Sequence, residues 1–212
     1  MSTDAADDWK DFLTALPPSF CPRRLRLWCV AWSRIYIRNG AAVYEEFRGE
    51  CGWHPADAAR VLGGLEAAEK FADGRIGRRE LMWEKPTTGG PANALHLAFG
   101  VTRLNPVTVR DVLAEFCRRV GDTGPSAREL CDLLRDIYGN TPRAVSLDPR
   151  WRTETVRSLA RVMYKTRDFT AMPVLADALQ EVGCDAAAVL DHCRGSRPHV
   201  RGCWVVDLVL GR

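Results

Sequence analysis

The sequence predicts an all-α protein, a multi-helix bundle or a short helical solenoid, and three observations carry that prediction. Apolar side chains recur at three- and four-residue steps through most of the chain. Proline, glycine and capping residues punctuate those steps where helices must start and stop. An apolar share of 46% over 212 residues is enough to close a core, so the chain is expected to fold by itself.

A first short helix is predicted over Asp7 to Leu16, with acidic residues toward its N-terminal end and Pro17-Pro18 ending it. The next spans Pro22 to Asn39, where Leu25, Trp28, Cys29, Trp32, Ile35 and Tyr36 form one stripe and Asn39-Gly40 reads as the stop. Ala56 to Ala72 follows, with Ala58, Val61, Leu62, Leu65 and Ala68 on one face and Gly74 closing it. Gly77 to Glu84 reads as a short helix, and Thr87 to Pro91 as the clearest loop. Asn105-Pro106 opens a helix through Val112, Leu113, Phe116 and Cys117. Ser126 caps another through Leu130, Leu133, Leu134 and Ile137.

Gly139 to Pro149 reads as irregular and divides an N-terminal helical subdomain, 1–138, from a C-terminal one, 150–212, expected to pack closely against it. The second half continues with Thr153 to Lys165, which turns Val156, Leu159, Ala160 and Met163 inward. Thr170 to Val182 does the same with Met172, Leu175, Ala176 and Leu179, ended by Gly183. Asp185 is expected to cap a short helix to Cys193. The run Cys203 to Leu210 is ambiguous between helix and strand. Its valines and tryptophan favour a strand, yet a lone strand would have no partner here, so a buried helix is expected. Helices of similar length in pairs suggest a bundle or solenoid, without a repeat of fixed period.

Composition narrows the function classes. No apolar stretch is long enough to cross a bilayer, and the N-terminus is acidic where a signal peptide is basic and then apolar, so the expected location is cytoplasmic. Eight cysteines in a chain of this length are expected to be reduced, with Cys29, Cys117 and Cys131 serving as small buried hydrophobes. The formal charge is +3; residues 1–149 balance 20 basic against 20 acidic side chains, and residues 150–212 hold ten against seven. That is far below the clustered charge of a dedicated nucleic-acid binder. Arginine outnumbers lysine 26 to 4, a bias more often set by genomic base composition than by selection for guanidinium contacts.

Five phrases, Arg23–Tyr36, Glu66–Gly74, Leu134–Asn140, Asp177–Asp185 and His199-Val200-Arg201-Gly202-Cys203-Trp204-Val205-Val206-Asp207, occur in an order that resembles a large family of paralogous proteins from planctomycete bacteria. The resemblance spans most of the chain. That family carries no established activity, ligand or catalytic residue, so the resemblance implies a kind of organism and no chemistry. Extensive paralogy is more typical of recognition modules than of housekeeping enzymes.

The densest chemistry lies near the C-terminus, where His192, Cys193, His199 and Cys203 fall within twelve residues. Imidazole and thiolate are the preferred zinc ligands, but the spacing is not that of a structural zinc site, because adjacent His192 and Cys193 would point to different sides of a helix. His199 and Cys203, four apart, could share a face and form a partial site. A cysteine nucleophile is the second possibility, with His199 as base for Cys203 and Asp191 or Asp207 orienting the imidazole. Attack geometry, however, usually needs groups from different elements. The sequence has no Gly-x-Ser-x-Gly elbow, no His-Glu-x-x-His and no phosphate-binding Gly-x-x-x-x-Gly-Lys. Asp207, inside an apolar run, is expected to meet Arg194, Arg197 or Arg201 or a helix N-terminus, since an unpaired buried carboxylate is costly. Its functional version would put it at the floor of a pocket with His199.

Arg23, Arg24, Arg26, Arg34 and Arg38 share a helix with Trp28, Trp32 and Tyr36, and no acidic residue stands between Phe12 and Tyr44. Arginine on phosphate and aromatic on base would make a nucleic-acid surface. The aromatics lie on the Leu25 stripe, however, and are better read as core with the arginines outside. The expectation is therefore a non-catalytic interaction or adaptor module that needs no cofactor and no metal. Its working surface would be Arg23 to Arg38 or Arg194, Arg197 and Arg201, facing an acidic protein partner. A nucleic-acid-associated accessory protein, and a zinc or thiol enzyme, are the alternatives.

Overall fold

The computed structural model describes residues 21–47, 55–83, 126–139 and 145–212. The expected helices at Asp7–Leu16 and Asn105–Cys117 and the loop at Thr87–Pro91 lie outside them. Among the described residues every regular element is helical and there is no strand. The chain divides into two compact units, Met1–Cys131 and Asp132–Arg212.

In the first unit, α1 (Pro22–Phe47) packs on α2 (Pro55–Ala72), and α2 on α3 (Arg78–Trp83). Leu25, Trp28, Cys29 and Trp32 are buried as expected, but so are Leu27, Val30, Ala31 and Ser33, so this stretch is enclosed on most sides instead of carrying a single stripe. Ser33 spends its hydroxyl on the Cys29 carbonyl one turn back, at 2.8 Å. Asn39-Gly40 does not stop α1, which runs on to Phe47. A helical glycine costs about 1 kcal/mol relative to alanine, a preference that surrounding structure readily overrides.

The α2 face follows the expected period at Leu65 and Ala68, which join Val30, Ile37, Ala67 and Leu81 in one core. Leu62, expected inward, is 38% exposed, because it sits at the edge of the face centred on Leu65, Ala68 and Ala72. Gly74 ends this region at φ +69, a conformation that glycine adopts without a Cβ penalty. Buried Glu69 is matched by Arg34 at 3.3 Å.

The helix α4 (Ala127–Tyr138) begins with the expected cap. The Ser126 hydroxyl accepts from the Glu129 amide at 3.2 Å, while the Glu129 carboxylate accepts from the Ser126 amide at 2.8 Å, a reciprocal capping box.

In the second unit a 3-10 turn (Pro149–Trp151) leads into α5 (Glu154–Thr166), followed by α6 (Met172–Glu181), α7 (Ala187–Arg194) and α8 (Trp204–Leu210). Consecutive helices pack in turn, and α8 returns against α5. Their shared core holds Val156, Ala160, Met163, Leu175, Leu179 and Val189, together with Cys193, Cys203 and Val206. Thr153 caps α5, with its hydroxyl facing the Val156 amide at 3.5 Å. Asp185 does not cap α7; the helix starts after Ala186 with no side-chain cap bond. The C-terminal run is the expected helix. Its lack of a helical period has a plain cause, since Trp204, Val205, Val206, Asp207 and Val209 are all buried and no face is left for polar residues.

Candidate functional site

Three stretches of the second unit bring four polar side chains to one point. α4 contributes Asp136, next to the core residue Ile137 and only 2% exposed. The last turn of α7 contributes His192, beside buried Cys193. The chain then leaves the helix at Gly195 and returns through Gly202, whose φ of +102 is open to glycine and disfavoured for other residues. This return carries His199 and places Cys203 at the N-cap of α8.

The Asp136 carboxylate is the hub. Its Oδ1 lies 2.6 Å from His199 Nδ1 and 3.1 Å from His192 Nε2, and its Oδ2 accepts from the Val200 amide at 2.8 Å. Cys203 Sγ lies 3.2 Å from His192 Nε2 and 3.9 Å from His199 Nδ1. One donor atom from each of the four residues falls within 4.8 Å of the other three. The two imidazoles meet edge to face with centroids 4.9 Å apart, and His192 also leans on Trp204 at 5.1 Å.

Burial works to raise the Asp136 carboxyl. The hydrogen bonds from His192 and His199, followed by their charges, outweigh it and hold the group below the usual carboxylate range. Cys203 moves the other way. Burial and then the Asp136 charge push its thiol well above the ordinary range, only partly countered by the Val206 and Val205 amides. Cys193 is pushed up to about 12, first by burial and then by Asp136 and Cys184.

This geometry does not make a nucleophilic triad. A relay histidine offers one ring nitrogen to the nucleophile and the other to the carboxylate. Here Asp136 and Cys203 approach the same nitrogen of His192, and the sulfur is fully buried. His199, expected as the base, is the more distant imidazole, and neither Asp191, which is exposed, nor Asp207 belongs to the cluster. What the arrangement does offer is four donor atoms of metal-ligating type from separate stretches of chain. Cys193 is buried and lies outside the four, while His192, His199 and Cys203 come together. Sequence reasoning missed Asp136. Its one local signal was a carboxylate set among Leu133, Leu134 and Ile137.

Seven of the eight arginines expected to face a partner meet groups of their own unit. Arg23 pairs with Asp73 at 3.3 Å, Arg34 with Glu69 at 3.3 Å and Arg38 with Glu129 at 3.5 Å. Arg26 lies over the Phe71 ring at 4.7 Å, and Arg24 is half-buried near the start of α1. Arg194 pairs with Asp177 at 2.8 Å, Arg197 approaches Asp132 at 3.8 Å, and Arg201 stacks over Tyr164 at 4.4 Å.

No helix among the described residues is long and apolar enough to cross a membrane. No family model, curated protein or solved structure matches the chain.

Proposed function

We propose that the protein is a non-catalytic interaction module that seats an apolar segment of a protein partner in a cleft beside α5. The observation that carries this reading is a surface one. Val162 and Val174, the two most exposed large hydrophobics among the described residues at 60% and 53%, lie on α5 and at the start of α6. Val162 lines an open cleft of about 620 Å³ together with Leu159, Met163 and Ala171. Clefts of this size are typical of binding sites, and apolar groups left in water beside one gain when a partner covers them. Of the two carboxylates in its lining, Glu154 already pairs with Arg161 at 2.6 Å, which leaves Asp168 as the one that favours a lysine or arginine next to the segment's apolar side chains.

The non-catalytic half of the reading rests on the burial of Cys203 and on its shared approach to His192 with Asp136. Most of the arginines contribute less to this proposal, because they already meet carboxylates or rings of the chain itself.

The test is affinity capture from a cell extract with the wild-type chain and with the double variant Val162→Asp, Val174→Asp. Both side chains are exposed, so the far-UV spectrum and thermal midpoint should stay the same while specific captured proteins are lost. Capture of the same proteins by the folded double variant would overturn the proposal.

A further inference from the structure

We infer that Asp136, His192, His199 and Cys203 bind a single zinc ion in a closed, four-ligand site that clasps the 195–203 return to α4 and α7. The inference is independent of the partner-binding cleft.

The donor set is the first argument. Two imidazole nitrogens, one thiol sulfur and one carboxylate oxygen form a mixed set of the kind zinc accepts, whereas calcium and magnesium want oxygen alone. Geometry is the second. Donors held at zinc distances on the corners of a tetrahedron lie about 3.3–3.6 Å apart. Four of the six separations, 2.6, 3.1, 3.2 and 3.9 Å, bracket that range and none of the six exceeds 4.8 Å, so side-chain shifts without a change of backbone would admit the ion.

Charge is the third argument. A thiolate and a carboxylate together offset a divalent cation, which makes the filled site neutral and compatible with burial among apolar side chains. As a hydrogen-bonded network alone the cluster is less well matched, because His192 Nε2 has a single proton or lone pair for both Asp136 and Cys203. One cation serves all four donors at once.

The surroundings fit as well. The Val200 amide holds Asp136 Oδ2 and leaves Oδ1 turned to the other donors, the outer hydrogen bond that orients a carboxylate ligand. Four protein donors complete a tetrahedron and leave no position for a water or substrate, which is the pattern of a structural ion. The stretch it would secure has no regular secondary structure between α7 and α8, apart from bends and a turn.

The test uses the whole 212-residue chain, untagged, stripped with chelator under reducing conditions and titrated with Co2+ and then Zn2+. Expected are about one ion per chain, the near-ultraviolet absorption of a cobalt–thiolate bond, the visible bands of tetrahedral Co2+, and bleaching of both by zinc. Cys203→Ser should abolish the thiolate band, and His192→Ala should weaken zinc binding by more than the roughly 100-fold that loss of an outer partner costs. Cys193→Ser, adjacent to His192 but outside the four, should leave the spectrum intact. The wild-type titration needs no variant to fold. A folded wild-type chain without the thiolate band, or a band that survives Cys203→Ser, overturns the inference.

Discussion

Removing the Asp136 side chain should be among the most damaging single changes in the second unit. Asp136→Ala deletes the acceptor for His199 Nδ1, His192 Nε2 and the Val200 amide in one step. A buried donor left without an acceptor costs about 1–3 kcal/mol, and breaking a buried charged network costs about 3–5 kcal/mol. The three contacts share one carboxylate and are not additive, so about 3–5 kcal/mol is expected, against a typical domain stability of about 5–15 kcal/mol. Asp136→Asn keeps an oxygen for Val200 and should cost roughly half as much. Hydrogen exchange over residues 187–210 reads this locally, without assuming that the two units unfold together. Amides of α8 should exchange roughly 100- to 5,000-fold faster in Asp136→Ala, the equivalent of that energy at about 1.4 kcal/mol per tenfold. An acceleration below about tenfold would refute the view of Asp136 as the hub.

Three further outcomes follow from other contacts. Gly202→Ala should destabilise the second unit by about 1–2 kcal/mol, because φ +102 is poor for a residue with a Cβ, and chemical denaturation would measure it; an unchanged midpoint would contradict the backbone geometry. Arg34→Ala removes one charge partner of buried Glu69 and should cost about 1–3 kcal/mol, with Glu69→Gln in the same background restoring part of the loss. Native alkylation at about pH 8 should modify exposed Cys21 and spare Cys193, since a thiol pushed up to about 12 is roughly one part in 10,000 thiolate there. Peptide mass spectrometry showing Cys193 labelled as fast as Cys21 would contradict its placement.

The helices were legible because their signals are local. Val156, Ala160 and Met163 in α5, and Met172, Leu175 and Leu179 in α6, repeat at helical steps and are buried, and Ser126 with Glu129 spells its own cap. Local signals failed where they were weak or where the surroundings decided. Asn39-Gly40 is a modest preference that α1 overrides, and Leu62 reads as inward until the centre of its face is known. The cluster was half visible. His192, His199 and Cys203 stood close in sequence, and His199 with Cys203 read as a partial site, but the spacing matched no zinc pattern and adjacent His192 and Cys193 pointed to different sides of a helix. The chain instead breaks at Gly195 and folds back, so their separation along the chain says little about their distance in space.

By itself, then, the amino-acid order determined the helical class, most described helix positions and the burial of Trp28, Trp32 and the α8 run, because periodicity and capping act over a few residues. Only tertiary structure decided that Asp136, 56 positions before His192, meets it and Cys203. That meeting depends on how α4, α7 and the return between α7 and α8 pack, and the carboxylate of α4 carries no local mark of the partners it will find.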